Sequence, residues 1–264
     1  MHEKTSELVG AKAIVTGSSS GIGRSIAIEL ARAGAHVLVH AGHHLERAEQ
    51  VAGEIAAAGS HATTVVSDLA TASGQTEFLT FVDSWTDSVD ILVNNAGVDV
   101  LTGDAANWDF WKKLDQLWQV DVLATMRISR TIGATMRSRS ESRFVPNILN
   151  IGWDQAEVGM AGDSGEMFGP IKAAVMAFTR SLAKSLAPQV RVNCLAPGWI
   201  RTSWGEHASE YWQQRAKSES LLNRWGTPED VAQLARFLVS PASSYITGQV
   251  VAVNGGFAHG QRDH

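Results

Sequence analysis

Ala13-Ile14-Val15-Thr16-Gly17-Ser18-Ser19-Ser20-Gly21-Ile22-Gly23 decides the reading of this chain. Its first four residues form a short apolar strand, and the next seven a loop with the spacing G-x-x-x-G-x-G. From Arg24 to Ala33 the apolar residues recur with helical period. Strand, glycine turn and helix in that order make a site for a dinucleotide pyrophosphate. The glycines permit a tight turn and close approach of the backbone, and the first turn of the helix offers unpaired N–H groups to an anion. Gly17, Ser19, Ser20, Gly21, Ile22 and Gly23 are therefore the first candidates to line a cofactor.

The same rhythm continues along the chain. Seven runs rich in Val, Ile and Leu read as strands: Ala11 to Thr16, Ala35 to His40, Ala62 to Ser67, Asp90 to Asn94, Pro146 to Ile151, Val190 to Leu195 and Gln249 to Val253. Between them lie segments with apolar residues three and four apart, as in Ile171, Val175, Phe178, Leu182 and Leu186, each able to lay one stripe against a sheet. Strands alternating with helices predict an α/β fold, a single doubly wound domain over residues 1–264 with a seven-stranded parallel sheet. The stretch from about 202 to 225 is the least regular and rich in Trp and charge, and it reads as a lid.

Composition excludes several classes. The 264 residues are 44% hydrophobic and 19% charged, which rules out a disordered chain or a fibre. With 22 Lys and Arg against 27 Asp and Glu the net charge is -5 and the basic residues are scattered, so the footprint of a nucleic-acid binder is missing. A small molecule is the expected partner. The single cysteine, Cys194, cannot form an internal disulfide or complete a Cys/His zinc pattern. No run approaches the ~18 apolar residues of a membrane helix, and Met1 to Glu7 lack the apolar core of a signal peptide. A cytoplasmic location is the expectation.

Further motifs fall in order behind the glycine loop: Asp68-Leu69 after the third strand, Asn94-Asn95-Ala96-Gly97 after the fourth, Arg191-Val192-Asn193, then Pro197-Gly198-Trp199-Ile200-Arg201-Thr202, and near the end Ile246-Thr247-Gly248-Gln249 with Asn254-Gly255-Gly256. Over nearly its whole length the chain resembles the short-chain dehydrogenase/reductase family, which has a Rossmann-type fold. The resemblance implies a nicotinamide dinucleotide lying across the carboxyl ends of the strands. Gly17, Gly21, Ile22 and Gly23 would line its pyrophosphate, Asp68 and Leu69 its adenine, and Asn95, Ala96 and Gly97 the adenosine side of the cleft. Ile200 and Thr202, following Pro197 and Gly198, would hold the nicotinamide amide, and Lys172 the nicotinamide ribose.

An NAD preference usually shows as an acid roughly 20 residues past the loop, where it holds the ribose hydroxyls. Here that region reads His40-Ala41-Gly42-His43-His44, with the first acid at Glu46. Nothing there repels a 2′-phosphate, and His43, His44 and Arg47 can donate to one, so NADP is favoured over NAD. No metal centre is expected, because nothing forces these histidines to converge.

At the chemistry the resemblance breaks down. In the family a Tyr precedes a Lys by four residues on one helix face, and the ammonium lowers the phenol's pKa for proton transfer. This chain has Phe168 and Lys172. Trp153 takes the place of the family's Ser after the fifth strand, and Asp121 the place of its Asn in the fourth helix. Phe168 has no proton to give. Among Asp154, Glu157, Asp163 and Glu166, Asp154 is the first candidate for a replacement acid, because it follows the fifth strand where the cleft opens. Asp121 could pair with Lys172. The two tyrosines lie elsewhere, Tyr211 four residues before Arg215 in the lid and Tyr245 near the end.

Trp153, Trp199, Trp204 and Trp212 fall where the fold would place a substrate and could wall an aromatic or apolar pocket. Trp108, Trp111 and Trp118 read as core or subunit interface, and the resemblance implies a homodimer or homotetramer. The tail from Phe257 to His264 is polar and reads as mobile. Three functions stay open: an NAD(P)-dependent oxidoreductase with an altered proton relay, a dinucleotide-binding paralogue without catalysis acting as sensor or partner subunit, and a lyase, epimerase or dehydratase.

Overall fold

Continuous apolar runs pair side by side when both faces of each strand are covered, and this chain uses seven of them. The computed structural model describes residues 7–139 and 143–257; the polar tail from 258 onward and the first six residues lie outside the described residues. The strands are β1 (Lys12–Val15), β2 (His36–Ala41), β3 (His61–Val66), β4 (Ile91–Asn94), β5 (Asn147–Ile151), β6 (Arg191–Pro197) and β7 (Val250–Val253). They form one sheet in the order β3-β2-β1-β4-β5-β6-β7, all neighbours parallel. The order reverses between β1 and β4, and the crevice beyond the carboxyl ends at such a switch point is where doubly wound sheets bind ligands.

The helices are α1 (Gly21–Arg32), α2 (Leu45–Ala57), α3 (Ala72–Trp85), α4 (Phe110–Leu117), α5 (Thr125–Ser138), α6 (Asp163–Leu186), α7 (Ser203–His207), α8 (Glu210–Glu219) and α9 (Pro228–Val239). Side chains alternate across each strand, which makes two cores. Ala13 and Val15 join Ile26 and Leu30 of α1 and Val231 and Leu238 of α9 on one face. Ile14 joins Phe78 of α3, Ile128 of α5 and Leu182 of α6 on the other. The register sets Val15 beside Val39 and Val93, so the residues that follow these three strands converge on one spot.

Three expectations change. Helix α1 begins at Gly21 rather than Arg24, so two of the loop's glycines are already helical. The stretch 202–225 is not irregular: it carries α7 and α8. Trp111 is 74% exposed and Trp118 43%, so neither ring is core. Among the described residues no helix is long and apolar enough to cross a membrane.

Candidate active site

The glycine loop is held in place by its neighbours. Gly17 has φ +62°, and a Cβ there would lie 2.7 Å from the Ala96 Cα. A Cβ on Gly23 would collide with the Gly17 carbonyl and the Asn95 amide. Asn95 Nδ2 donates to the Thr16 and Gly17 carbonyls at 3.0 Å, and the buried Thr16 Oγ1 accepts the Asn95 and Ala96 N–H groups at 3.0 Å. Ser20 is the N-cap of α1 and its side chain makes no capping bond, which leaves the first-turn N–H groups without a side-chain partner.

His40, passed over in the sequence, completes this arrangement. Its Nδ1 accepts the Gly17 N–H at 3.0 Å, and its Nε2 bonds the Ser67 carbonyl at 3.0 Å. Nε2 therefore carries the hydrogen, and the ring is neutral. Burial pushes its pKa down to about 4, against the opposing bond to Ser67 and the charge of Asp68. The only sequence signal was a histidine inside an apolar strand that ends beside the loop.

The second half of the site hangs on α6. Phe168 and Lys172 stand one turn apart on it. Lys172 Nζ lies 2.8 Å from Asp121 Oδ1 and donates to the Ile151 carbonyl at 3.4 Å. The lysine side chain is 15% exposed and the aspartate 3%. The other carboxylate oxygen of Asp121 accepts the Val98 N–H at 3.2 Å. Asp121 belongs to a π-helical turn, Trp118–Ala124, between α4 and α5, a local widening often found at functional sites.

Trp153 is extended (φ −156°), so it and Asp154 point to opposite sides. The Trp153 ring meets Phe168 edge-on at 6.5 Å. Asp154 instead accepts from Asn254 Nδ2 at 3.0 Å. Desolvation raises its pKa to about 6, with the Asn254 bond opposing and the charge of Glu219 adding to the rise. Glu157 pairs with Arg180, and Asp163 and Glu166 are exposed in the first turn of α6.

A cavity of about 360 Å³ joins these parts. Its lining includes Ile22, Asn95, Trp153, Phe168 and Lys172, together with Pro197, Gly198, Ile200 and Thr202 from the segment after β6. Leu101, Met160 and Ser164 also line it and were not singled out in the sequence. Asp154 is not among the lining residues: the Gly198 backbone stands beside its carboxylate, where a Cβ would come within 2.9 Å of Oδ2. Asp68, Leu69 and His43 lie outside the lining too. The Leu69 side chain is buried in the core with Phe78, Asp68 Oδ1 accepts the Ala70 N–H, and His43 is exposed beyond β2. Gly97 packs on Asp121, and Ser19 is half-buried in the loop. Tyr211 and Tyr245 are exposed. Among the described residues no group of three or more His, Cys, Asp or Glu could hold a metal ion.

A family model described as Enoyl-(Acyl carrier protein) reductase matches residues 17–258. The 3-oxoacyl-(acyl-carrier-protein) reductase FabG of Aquifex aeolicus is 37% identical over 257 residues, covering 95% of this chain and 98% of its own. The chain belongs to the short-chain dehydrogenase/reductase family. Solved members of the family superpose closely. A short-chain dehydrogenase from Burkholderia cenocepacia in complex with NADP matches with a TM-score of 0.82 at 30% identity, covering 95% of this chain and 98% of that one. A 7α-hydroxysteroid dehydrogenase complexed with NADH and 7-oxo glycochenodeoxycholic acid matches at 0.85 and 29%, covering 99% and 100%.

Proposed function

We propose that this chain is an NAD(P)-dependent oxidoreductase that prefers NADP and moves a hydride between the nicotinamide and a carbonyl or alcohol carbon of a small molecule. The observation that carries this reading is that the uncapped start of α1 and the Lys172 ammonium open onto one cavity, which both Ile22 and Lys172 line. The residues present fit a dinucleotide. A Cβ on Gly21 would find only the Thr202 methyl, at 3.7 Å, so the first turn of α1 has room beside it for an anion. Solved relatives hold NADP or NADH. His43, His44 and Arg47, exposed past β2 with no acid before Glu46, support the NADP preference.

A bound nicotinamide supplies the hydride; the chain's own residues must position it and handle the proton. Lys172, steadied by Asp121 and the Ile151 carbonyl, holds the nicotinamide ribose. In the family a phenol one turn before this lysine passes the proton, and Phe168 cannot. Lys172 is the charged side chain among the cavity's lining, and we assign it the proton that the substrate oxygen gains or loses, with Asp121 stabilising the ammonium. Asp154, facing Asn254 instead of the cavity, is displaced from that role. Trp153, in the place of the family's Ser, walls the substrate. Helices α7 and α8 form the lid, and the exposed Trp111 and Trp118 mark the face where copies of the chain assemble.

One observation favours a second reading. A lysine whose charge is answered at 2.8 Å by a buried carboxylate, beside a phenylalanine, also suits a dinucleotide-binding sensor or partner subunit that does no chemistry.

Titration with NADPH and then NADH, followed by nicotinamide emission, tests the common ground: saturable binding with NADPH tighter is expected, and no binding of either at millimolar concentration would sink both readings. Phe168→Tyr separates the rest. With Lys172 as proton donor, reduction of simple ketones changes less than tenfold; a gain of a hundredfold or more would mean an ordinary reductase missing only its phenol.

A further inference from the structure

Four tryptophans that are distant in sequence meet on one wall of the cavity. Trp199 and Trp204 have ring centroids 6.4 Å apart and planes within 20° of parallel. Trp212 lies 5.6 Å from Trp199 and 6.0 Å from Trp204, and Trp225 lies 6.0 and 6.3 Å from the same two. All four line the cavity, as do Trp153 and Phe168. The wall thus offers ring faces and ring edges together, the two geometries in which aromatic groups pair.

Polar groups hold two of these rings, Trp199 and Trp212. Trp199 Nε1 donates to Glu219 Oε2 at 2.8 Å, and Arg215 Nε donates to Glu219 Oε1 at 2.7 Å. The Arg215 guanidinium lies 5.7 Å from the Trp199 ring and 5.2 Å from the Trp212 ring. Rings fixed before a ligand arrives lose little freedom when it binds. Arg215 also decides the ligand's charge. It already occupies the cation-binding capacity of Trp199 and Trp212, and no carboxylate is among the lining residues to welcome a second cation. Lys172 is answered by Asp121, so the wall has no strong pull on an anion either.

We propose that the substrate is a neutral, flat, fused-ring aromatic ketone or alcohol, stacked on the wall of Trp199, Trp204, Trp212 and Trp225 with its oxygen toward Lys172. This rests on the oxidoreductase reading only for the fate of the oxygen; the aromatic assignment is a matter of binding.

Calorimetric titration of the whole chain, with and without NADPH, tests it using three probes: 2-acetylnaphthalene, its fully hydrogenated counterpart, and benzyltrimethylammonium. Each tryptophan ring that pairs with the flat arene is expected to tighten it about 2- to 12-fold over the saturated analogue of similar shape. Trp204→Leu, and separately Trp212→Leu, keep an apolar side chain at half-buried positions. Either is expected to cut that preference by one ring's share, about 2- to 12-fold, while leaving affinity for the saturated analogue within twofold. Equal binding of arene and saturated analogue, equal loss of both in the leucine variants, or tightest binding of the ammonium would each overturn the assignment. Arene binding without NADPH binding would sink the oxidoreductase reading and leave this one standing; NADPH binding without arene binding would do the reverse.

Discussion

Lowering the pH should loosen this protein through His40 before it affects most of its surface. An unfolded imidazole titrates near 6.5, whereas the buried His40 does so at about 4. Between those values the unfolded chain binds the extra proton and the folded chain does not, so stability falls as pH falls through this window. At about 1.4 kcal/mol per pH unit, the loss is about 2 kcal/mol from pH 7 to pH 5 and about 3 kcal/mol by pH 4. The proton would go to Nδ1, the atom that accepts the Gly17 N–H, so the penalty falls on the glycine loop itself. His40→Asn isolates the effect. Its side-chain oxygen can still accept from Gly17 but does not titrate, and the Ser67 carbonyl loses its donor, which costs about 1–2 kcal/mol at pH 7. Urea unfolding of both proteins between pH 4 and pH 7 is the assay. The variant's stability should decline less steeply with acid, by the amounts above. If the two curves run parallel, His40 is not the group that titrates and the neutral-ring description of the loop is wrong.

Gly17→Ala places a Cβ 2.7 Å from Ala96 at a left-handed φ; a loss of about 1–3 kcal/mol in thermal unfolding, with at least a tenfold loss of NADPH affinity by titration, is expected. Lys172→Met removes the group assigned the proton; single-turnover hydride transfer at saturating NADPH should drop by roughly 10²- to 10⁴-fold, and an unchanged rate would remove Lys172 from the proton path. For Asp154 the sign is opposite to that of His40. Its folded value, about 6, stands above the ordinary 3.8, so ionisation costs stability as pH rises through that window. Allowing for partial exposure, Asp154→Asn should be more stable than the parent by about 2 kcal/mol at pH 8, with the gap closing by pH 4 in the same urea assay.

The sheet was legible in the sequence for a simple reason. Strands buried on both faces must be apolar throughout, and Ala13 to Val15 or Ile91 to Val93 can be little else. The glycine loop was legible because its backbone tolerates few other residues. The direction of Asp154 was not legible, because position along the chain does not give it: one residue after Trp153 in an extended segment means the other side of it, where Asp154 meets Asn254. The π-helical turn that brings Asp121 to Lys172 left no mark in the apolar pattern of Trp118 to Ala124. Nor does the spacing of Trp199, Trp204, Trp212 and Trp225 have a period, because α7, α8 and the segment before α9 are folded back on one another to assemble them.

The clamp that Asn95 and Thr16 place on the glycine loop bears on how the protein is made. A ribosome that has synthesised β1, α1 and β2 has already built the whole G-x-x-x-G-x-G motif into the chain, yet Gly17 and Thr16 still lack the amide that grips their carbonyls. That amide arrives 78 residues after Gly17, and only once β4 has slipped in parallel beside β1, a non-local pairing of the kind that folds slowly. Dinucleotide capture by the nascent chain is therefore a late event, and a fragment ending before Asp90 carries the complete motif without a working cradle.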